Sequence, residues 1–308
     1  MKKNAILKGL KLVVGAIAMI LALSLTNAIA AGPGTVTMTV TAVAKKDASV
    51  PTITKDSVQL HLNKERAQIA DWKPGEKLFL AVLIDDSLDS GVASQWGELK
   101  AFLTSQPDTT YVSISFARNG VAMLAQDFTN DHQLAAKALR IPLGSGGAFS
   151  SPYLALLDLM KRLPASGDRR SIVLISSGID YLRGNYPASP DLDSAIQRAR
   201  KQNINIWSIY APDAGHRARG FFLVSRAQSN LSQLSEATGA ESYYLGIGAP
   251  AIVKPYFDEV SKHLSNQYLL TFTGKGGAKG HFERVRVTTE LPNVEFMTPS
   301  AVFLPATQ

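Results

Sequence analysis

The chain has 308 residues, 45% hydrophobic and 19% charged, with its 23 glycines and 15 prolines scattered rather than tracted. Those proportions fit a globular protein with one large domain and a smaller appendage, and they exclude collagen-like, low-complexity and repeat architectures. Cysteine is absent, which excludes disulfides, thiolate metal sites, a cysteine nucleophile and a lipid-modified N-terminal cysteine.

The first thirty residues are a different material. Met1–Lys11 carries four lysines and no acid, Leu12–Leu25 is almost wholly apolar, and Ala28-Ile29-Ala30 precedes Ala31-Gly32-Pro33. This pattern predicts a secretory signal peptide over residues 1–30, cleaved after Ala30. The apolar run is 14 residues long, short of the ~20 that a spanning helix needs. No later segment reaches that length. The mature chain is therefore expected to have no membrane span and to reside in the periplasm or outside the cell. Removing the leader leaves 28 basic against 25 acidic residues, so the formal charge falls from +7 to +3. A nucleic-acid partner is not expected at that charge.

Beyond the leader, Thr35–Val43 and Ser57–Leu62 alternate apolar and polar residues, as half-buried strands do. With the turn-rich Asp71–Gly75 as linker, residues 34–75 are expected to form an N-terminal β module. Residues 76–265 read differently. Leu78–Ile84, Ser171–Ser176 and Ile204–Tyr210 are continuous apolar runs, the signature of strands buried on both faces in a parallel sheet. Further strands are expected at Tyr111–Ala117, Val121–Gln126 and Glu241–Leu245. Helices are expected at Ala93–Leu103, His132–Leu139, Tyr153–Leu163, Leu192–Lys201, Ser229–Thr238 and Ala249–Leu264. The alternation predicts an α/β fold with a doubly wound, mostly parallel sheet and helices on both faces. Residues 266–308 are strand-like at Gln267–Thr273, Phe282–Thr289 and Ala301–Leu304. This C-terminal β extension is expected to pair with the N-terminal strands.

In such sheets ligands bind beyond the C-terminal ends of the strands, where the strand order reverses. The loop after the first buried strand reads Asp85-Asp86-Ser87-Leu88-Asp89-Ser90, and oxygen side chains at alternate positions suit a hard divalent cation. Two more loops are expected on the same rim, Gly144–Ser151 and Ser176–Asp180. Asp and Ser also favour helix starts, so the first cluster reads equally as a capping loop.

At these residues the chain resembles von Willebrand factor A domains, in particular the bacterial, acidobacterial-type VWFA-related branch. The resemblance covers roughly residues 35–306. Leu231–Gly239, Asn266–Leu270, Phe282–Val287 and Ala301–Pro305 are similar to that branch as well. The family implies a metal-ion-dependent adhesion site built from an Asp-x-Ser-x-Ser loop, a threonine before a helix and an Asp-Gly after a buried strand. Here Asp85 and Ser87 match, and Asp89 stands where the family has serine. The threonine position falls on Ala148, or on Ser150 or Ser151 with a shifted loop, and Ser177 replaces the outer aspartate. The site is thus degenerate. Asp85, Ser87, Asp89, Ser150 and Ser177 are its metal candidates, and Asp86, Ser151, Asp180, Tyr181 and Arg183 its partner-binding candidates. Three readings stay open: an altered Mg²⁺ or Ca²⁺ site, a vestigial site, or a site for another polar ligand.

The five histidines, His61, His132, His216, His263 and His281, lie on separate segments without metal-ligand spacing, and no nucleophile elbow, Walker loop or dinucleotide fingerprint occurs. Pro212–Gln228 is long for a strand-to-helix connection. Its arginines and Phe221-Phe222 suit an interaction surface, or a loop tucking its phenylalanines under the domain edge, the reading favoured here. Trp72, Trp96 and Trp207 are expected in the core or linker. The expected function is non-enzymatic binding of a protein partner. The alternatives are a metal-free structural component of an envelope assembly and a metal-assisted hydrolase using Asp85, Asp86 and Asp89.

Overall fold

A computed structural model describes residues 34–45, 49–183, 189–215, 220–244, 252–274 and 277–306. The predicted leader lies outside the described residues, as do His216, Arg217 and Arg219.

Along the chain, β1 (Thr35–Ala44) is followed by a single 3-10 turn at Lys55–Ser57, then β2 (Val58–Leu62), β3 (Glu65–Ala67) and β4 (Ile69–Pro74). The predicted linker at Asp71–Gly75 is therefore mostly strand. Asp71, Lys73 and Pro74 gave it the look of a turn, but Ile69 and Trp72 point inward and β4 is an edge strand, where proline is tolerated.

The α/β body begins with β5 (Leu78–Asp85), every residue of which is buried. A 3-10 turn at Ser90–Gln95 leads into α1 (Trp96–Thr104), and β6 (Thr110–Arg118) follows. Asn119 and Gly120 both have positive φ, 50° and 71°, and form a two-residue turn that sends β7 (Val121–Thr129) back antiparallel. This hairpin breaks the strand–helix alternation. Next come α2 (His132–Lys137), α3 (Pro152–Leu159), β8 (Arg169–Ser176) and α4 (Pro190–Lys201). The last of these starts on a Ser189 cap and a proline, with Asp191 and Asp193 in its first turn and Arg198, Arg200 and Lys201 in its last. That charge order suits the helix dipole. The body ends with β9 (Ile204–Tyr210), α5 (Phe221–Ala237), the two-residue β10 (Ser242–Tyr243) and α6 (Lys254–Ser265).

The central sheet has the order β10-β9-β8-β5-β6-β7, parallel throughout except at β7. The period of two along β5 divides its side chains between two cores. Leu78, Leu80, Val82 and Ile84 face α1, α2 and α6, whereas Ala81 and Leu83 face α3, α4 and α5.

The chain then returns to β structure with β11 (Gln267–Thr273), β12 (His281–Thr289), β13 (Val294–Met297) and β14 (Ala301–Leu304). β11 pairs with β1 and β4, and β12 pairs with β2, so both ends of the chain build two four-stranded sheets, β13-β1-β11-β4 and β14-β12-β2-β3. Their inward residues, among them Val40, Leu60, Trp72, Phe272 and Val287, share a third core. Trp72 stacks on Tyr268 with centroids 4.7 Å apart and donates its indole N–H to the Ile53 carbonyl at 3.0 Å.

A buried polar layer joins this β sandwich to the body. Arg169 of β8 donates to the Gln267 side-chain oxygen at 3.3 Å, Gln267 in turn donates to the Thr41 hydroxyl at 3.4 Å, and the Thr39 N–H donates to the Asn203 side-chain oxygen at 2.8 Å. Residues Gly34–Gln308 form one compact unit. No helix among the described residues is long and apolar enough to cross a membrane.

Candidate functional site

β5 is the first strand of the central sheet and has β6 on one side and β8 on the other. The strand order reverses there, so the crevice beyond its C-terminal end is where such a fold places a ligand. Asp85 occupies that end. The register aligns Ile84 with Ile175, so Ser176 lies level with Asp85 on the neighbouring strand. Asp85 Oδ1 accepts from the Ser87 backbone N–H at 2.9 Å and the Ser87 hydroxyl at 2.7 Å, and Oδ2 accepts from the Ser176 hydroxyl at 2.8 Å. Burial pushes the Asp85 carboxyl above its ordinary range, and the Ser87 and Ser176 bonds pull it partly back.

The loops around Asp85 interlock. The Ala214 N–H donates to the Ser87 carbonyl at 2.9 Å, and the Asp89 N–H to the Pro212 carbonyl at 3.0 Å, so the first loop pairs with the one after β9. A carbon added at Gly146 would overlap the Ser150 hydroxyl and touch Ser87 Cβ at 3.3 Å, which shows how closely Gly144–Ser151 approaches. The Leu182 N–H donates to the Ser150 carbonyl at 3.1 Å. Four segments far apart in sequence thus meet on one rim.

The predicted residues separate into three groups. Asp85, Ser87 and Ser150 come together, with Ser177 one residue beyond Ser176 and its hydroxyl accepting from the Ile179 N–H at 3.4 Å. Asp89 instead caps the following 3-10 turn, accepting from the Gly91 N–H at 2.8 Å. Asp86 turns away: it is fully buried and bound bidentately by Arg140 at 2.6 and 2.7 Å, and that guanidinium lies 3.7 Å over the Phe116 ring. On the β8 side, Ser151 caps α3, and Asp180 accepts from the Arg183 N–H at 3.2 Å through one oxygen while its other oxygen is buried without a partner. Burial raises the Asp180 carboxyl too. The Arg183 side chain pairs with Asp191 at 2.8 Å. The Tyr181 hydroxyl donates to Asp213.

Sequence reasoning placed Ser176 in a rim loop without making it a site candidate, although parallel strands in register place their last residues level, and it missed three other members. Asp213 follows a buried strand just as Asp85 does. Tyr153 donates to the Gly178 carbonyl at 2.9 Å, and burial, then Asp180 and then Asp85 push its phenol up. Arg140 had no local signal. The phenylalanines of Pro212–Gln228 are not tucked under the domain edge. They open α5, where the Phe222 side chain is 85% exposed. Ile141, Leu143 and Phe149 are exposed on the segment before α3, Leu182 on the loop after β8, and Phe221 beside Phe222 on α5.

The resemblance to von Willebrand factor A domains implies a Mg²⁺ or Ca²⁺ ion at Asp85, a site that needs six or more oxygen ligands and their negative charge. The residues do not fit it. Asp85 is the one carboxylate of the central cluster, and serine donors occupy both of its oxygens. Asp86 is neutralised by Arg140, and Asp89 is drawn to Gly91. Ser177 supplies no charge where the family has aspartate.

No family model matches the chain, and no curated protein matches it. Solved structures do. One similar structure is a von Willebrand factor type A protein from Catenulispora acidiphila, with 10% identity over 83% of this chain and 76% of that one and a TM-score of 0.45. Another is an aerotolerance-related membrane protein from Bacteroides fragilis, with 11% identity, 61% and 98% coverage and a TM-score of 0.44. A third is the VWA domain of SpRpn10, with 11% identity, 59% and 95% coverage and a TM-score of 0.41. Two of these three are von Willebrand factor A structures, the domains that the loop Asp85–Asp89 of this chain resembles.

Proposed function

We propose that this protein is an exported, non-enzymatic binding protein that uses the rim around Asp85 to hold a protein partner without a resident metal ion. The observation that carries this reading is the contrast between the floor of the rim and its crown. On the floor, the Asp85, Asp86 and Asp213 carboxylates have donors within the protein. Around it, Ile141, Leu143, Phe149 and Leu182 expose apolar side chains on loops joined by the Leu182–Ser150 backbone bond, and Phe221 and Phe222 expose theirs at the start of α5. Exposed apolar side chains grouped on one surface and rimmed by polar ones mark a protein contact. Hydrolase chemistry finds no support here: among the described residues no histidine stands on the rim, and Asp85, Asp86 and Asp89 each accept structural bonds. Export rests on the leader-like residues 1–30.

The test is capture of partners from envelope and culture-supernatant fractions by the mature chain, compared with Phe149→Ser and Phe222→Ser. Both side chains are exposed, so both variants are expected to fold as the parent does. A partner held in EDTA and lost with either variant supports the reading. Capture that EDTA abolishes, or that both variants leave intact, overturns it. Calorimetric titration with Mg²⁺, Mn²⁺ and Ca²⁺ is expected to give no heat that Asp85→Ala removes.

A further inference from the structure

On another part of the body, α6 lies beside β10 and the end of β9. The helix carries Glu259 and His263, four residues apart and so on one face, while Glu241 precedes β10. The ligating atoms of these three residues lie within 4.8 Å of one another. His263 Nε2 is 3.5 Å from a Glu241 oxygen and 3.7 Å from a Glu259 oxygen. Both separations are too long for hydrogen bonds. His263 is 4% exposed, and its Nε2 is buried without a hydrogen-bond partner. A buried imidazole nitrogen aimed between two carboxylates, yet bonded to neither, needs a third body to satisfy all three.

We propose that Glu241, Glu259 and His263 form a zinc-type divalent cation site that ties α6 to the β10 edge of the sheet. Zinc takes imidazole and carboxylate ligands at about 2.0–2.2 Å in a tetrahedron, whose ligand-to-ligand edge is then about 3.3 Å. The two histidine–glutamate separations already approach that edge, so small side-chain rotations close the set. The mixed nitrogen and oxygen donors suit zinc or its transition-metal neighbours better than Mg²⁺ or Ca²⁺. Both glutamates are about half exposed, which leaves the remaining coordination position open to water. The imidazole is fixed before any ion arrives, stacked on Trp207 with centroids 5.3 Å apart and planes 11° from parallel. One further observation shows excess negative charge at this spot: among the described residues neither glutamate has a lysine or arginine partner.

The experiment is calorimetric titration of the EDTA-treated, dialysed mature chain with zinc chloride at neutral pH, alongside Glu241→Gln, Glu259→Gln and Asp85→Ala. The two glutamine variants change exposed side chains, and unaltered circular dichroism and thermal midpoints without metal check their folding. The parent is expected to bind one zinc ion and to melt at a higher temperature with it. Each glutamine variant is expected to bind at least about tenfold more weakly, since even outer-shell partners of a metal ligand carry that much affinity. Asp85→Ala is expected to bind as the parent does. The cobalt-loaded parent is expected to show the intense visible bands of a tetrahedral ion, lost in Glu259→Gln. No zinc binding by the parent, equal binding by parent and glutamine variants, or loss in Asp85→Ala alone would each overturn the proposal.

Discussion

Replacing Asp85 in two ways separates what its charge does from what its hydrogen bonds do. Asp85→Ala removes the acceptor of the Ser87 N–H, the Ser87 hydroxyl and the Ser176 hydroxyl in a site that is 1% exposed. The hydroxyls can turn to other acceptors, whereas the backbone N–H cannot. A buried donor left unpaired costs about 1–3 kcal/mol, so the alanine variant is expected to lose about 2–4 kcal/mol in all. Asp85→Asn keeps the shape. Its oxygen accepts from Ser87 and its amide donates to Ser176, so only the charge disappears. That charge opposes folding, because burial raises the folded carboxyl above its ordinary 3.8. With the folded value raised, the folded chain binds this proton more readily than the unfolded one. The cost is therefore full at neutral pH and fades as pH falls through the folded value towards 3.8. Asn is expected to fall within about 1 kcal/mol of the parent at neutral pH and to flatten stability between neutrality and that lower limit. Urea denaturation across this range, with and without EDTA, measures both effects. If Asn is as damaging as Ala, and EDTA abolishes the difference from the parent, the charge is serving a bound cation and the metal-independent reading of the rim is refuted.

Three further outcomes follow from the packing. Arg140→Met leaves Asp86 buried without its cation and is expected to cost about 3 kcal/mol or more in chemical denaturation, most of it recovered in Asp86→Asn/Arg140→Met. Gly178→Ala combines a φ of +71° with a new carbon 2.6 Å from the Ala227 carbonyl oxygen. Gly144→Ala has the same handedness, at +72°, but its nearest neighbour is 3.5 Å away. The first is expected to lower the melting temperature clearly more than the second, which is held to a backbone cost on the order of 1 kcal/mol. Trp72→Phe removes the bond to the Ile53 carbonyl while keeping a ring to stack on Tyr268, and should cost about 1 kcal/mol by the same denaturation assay.

The sequence revealed most where burial is complete. Leu78–Ile84, Ser171–Ser176 and Ile204–Tyr210 are apolar on both faces because helices cover both sides of those strands, and each proved to be a central strand. It revealed less where an element has one wet face. β4 carries Asp71, Lys73 and Pro74 outward and so resembled a turn. The first two turns of α5 went unread because Phe221 and Phe222 face solvent and destroy the apolar period that marks a helix. At the site, Asp85 and Ser87 were legible because they follow a buried strand directly. The actual partner of Asp85 was Ser176 rather than Ser177, a matter of strand register that a list of loop residues does not contain. Arg140 sits 54 residues from Asp86 and reaches it through its side chain alone, so no local pattern announces the pair.

The same bonds bear on what such a rim can recognise. An ion-dependent adhesion site leaves one coordination position for a carboxylate supplied by its partner, and the affinity then depends on charge. Here Arg140 neutralises Asp86 from within, and the Asp85 charge is shared among three donors and buried below the loops. On the proposed metal-independent reading, an acidic partner group finds no cation to complete. The exposed groups are instead Phe149 and Leu182, on loops held together by the Leu182–Ser150 backbone bond, with Phe221 and Phe222 at the start of α5. Ordering those loops before contact reduces the entropy lost on binding, and apolar contact is screened little by salt. On the proposed reading, association should therefore persist at high ionic strength and in chelator, and should respond to the volume of the partner's side chains far more than to their charge.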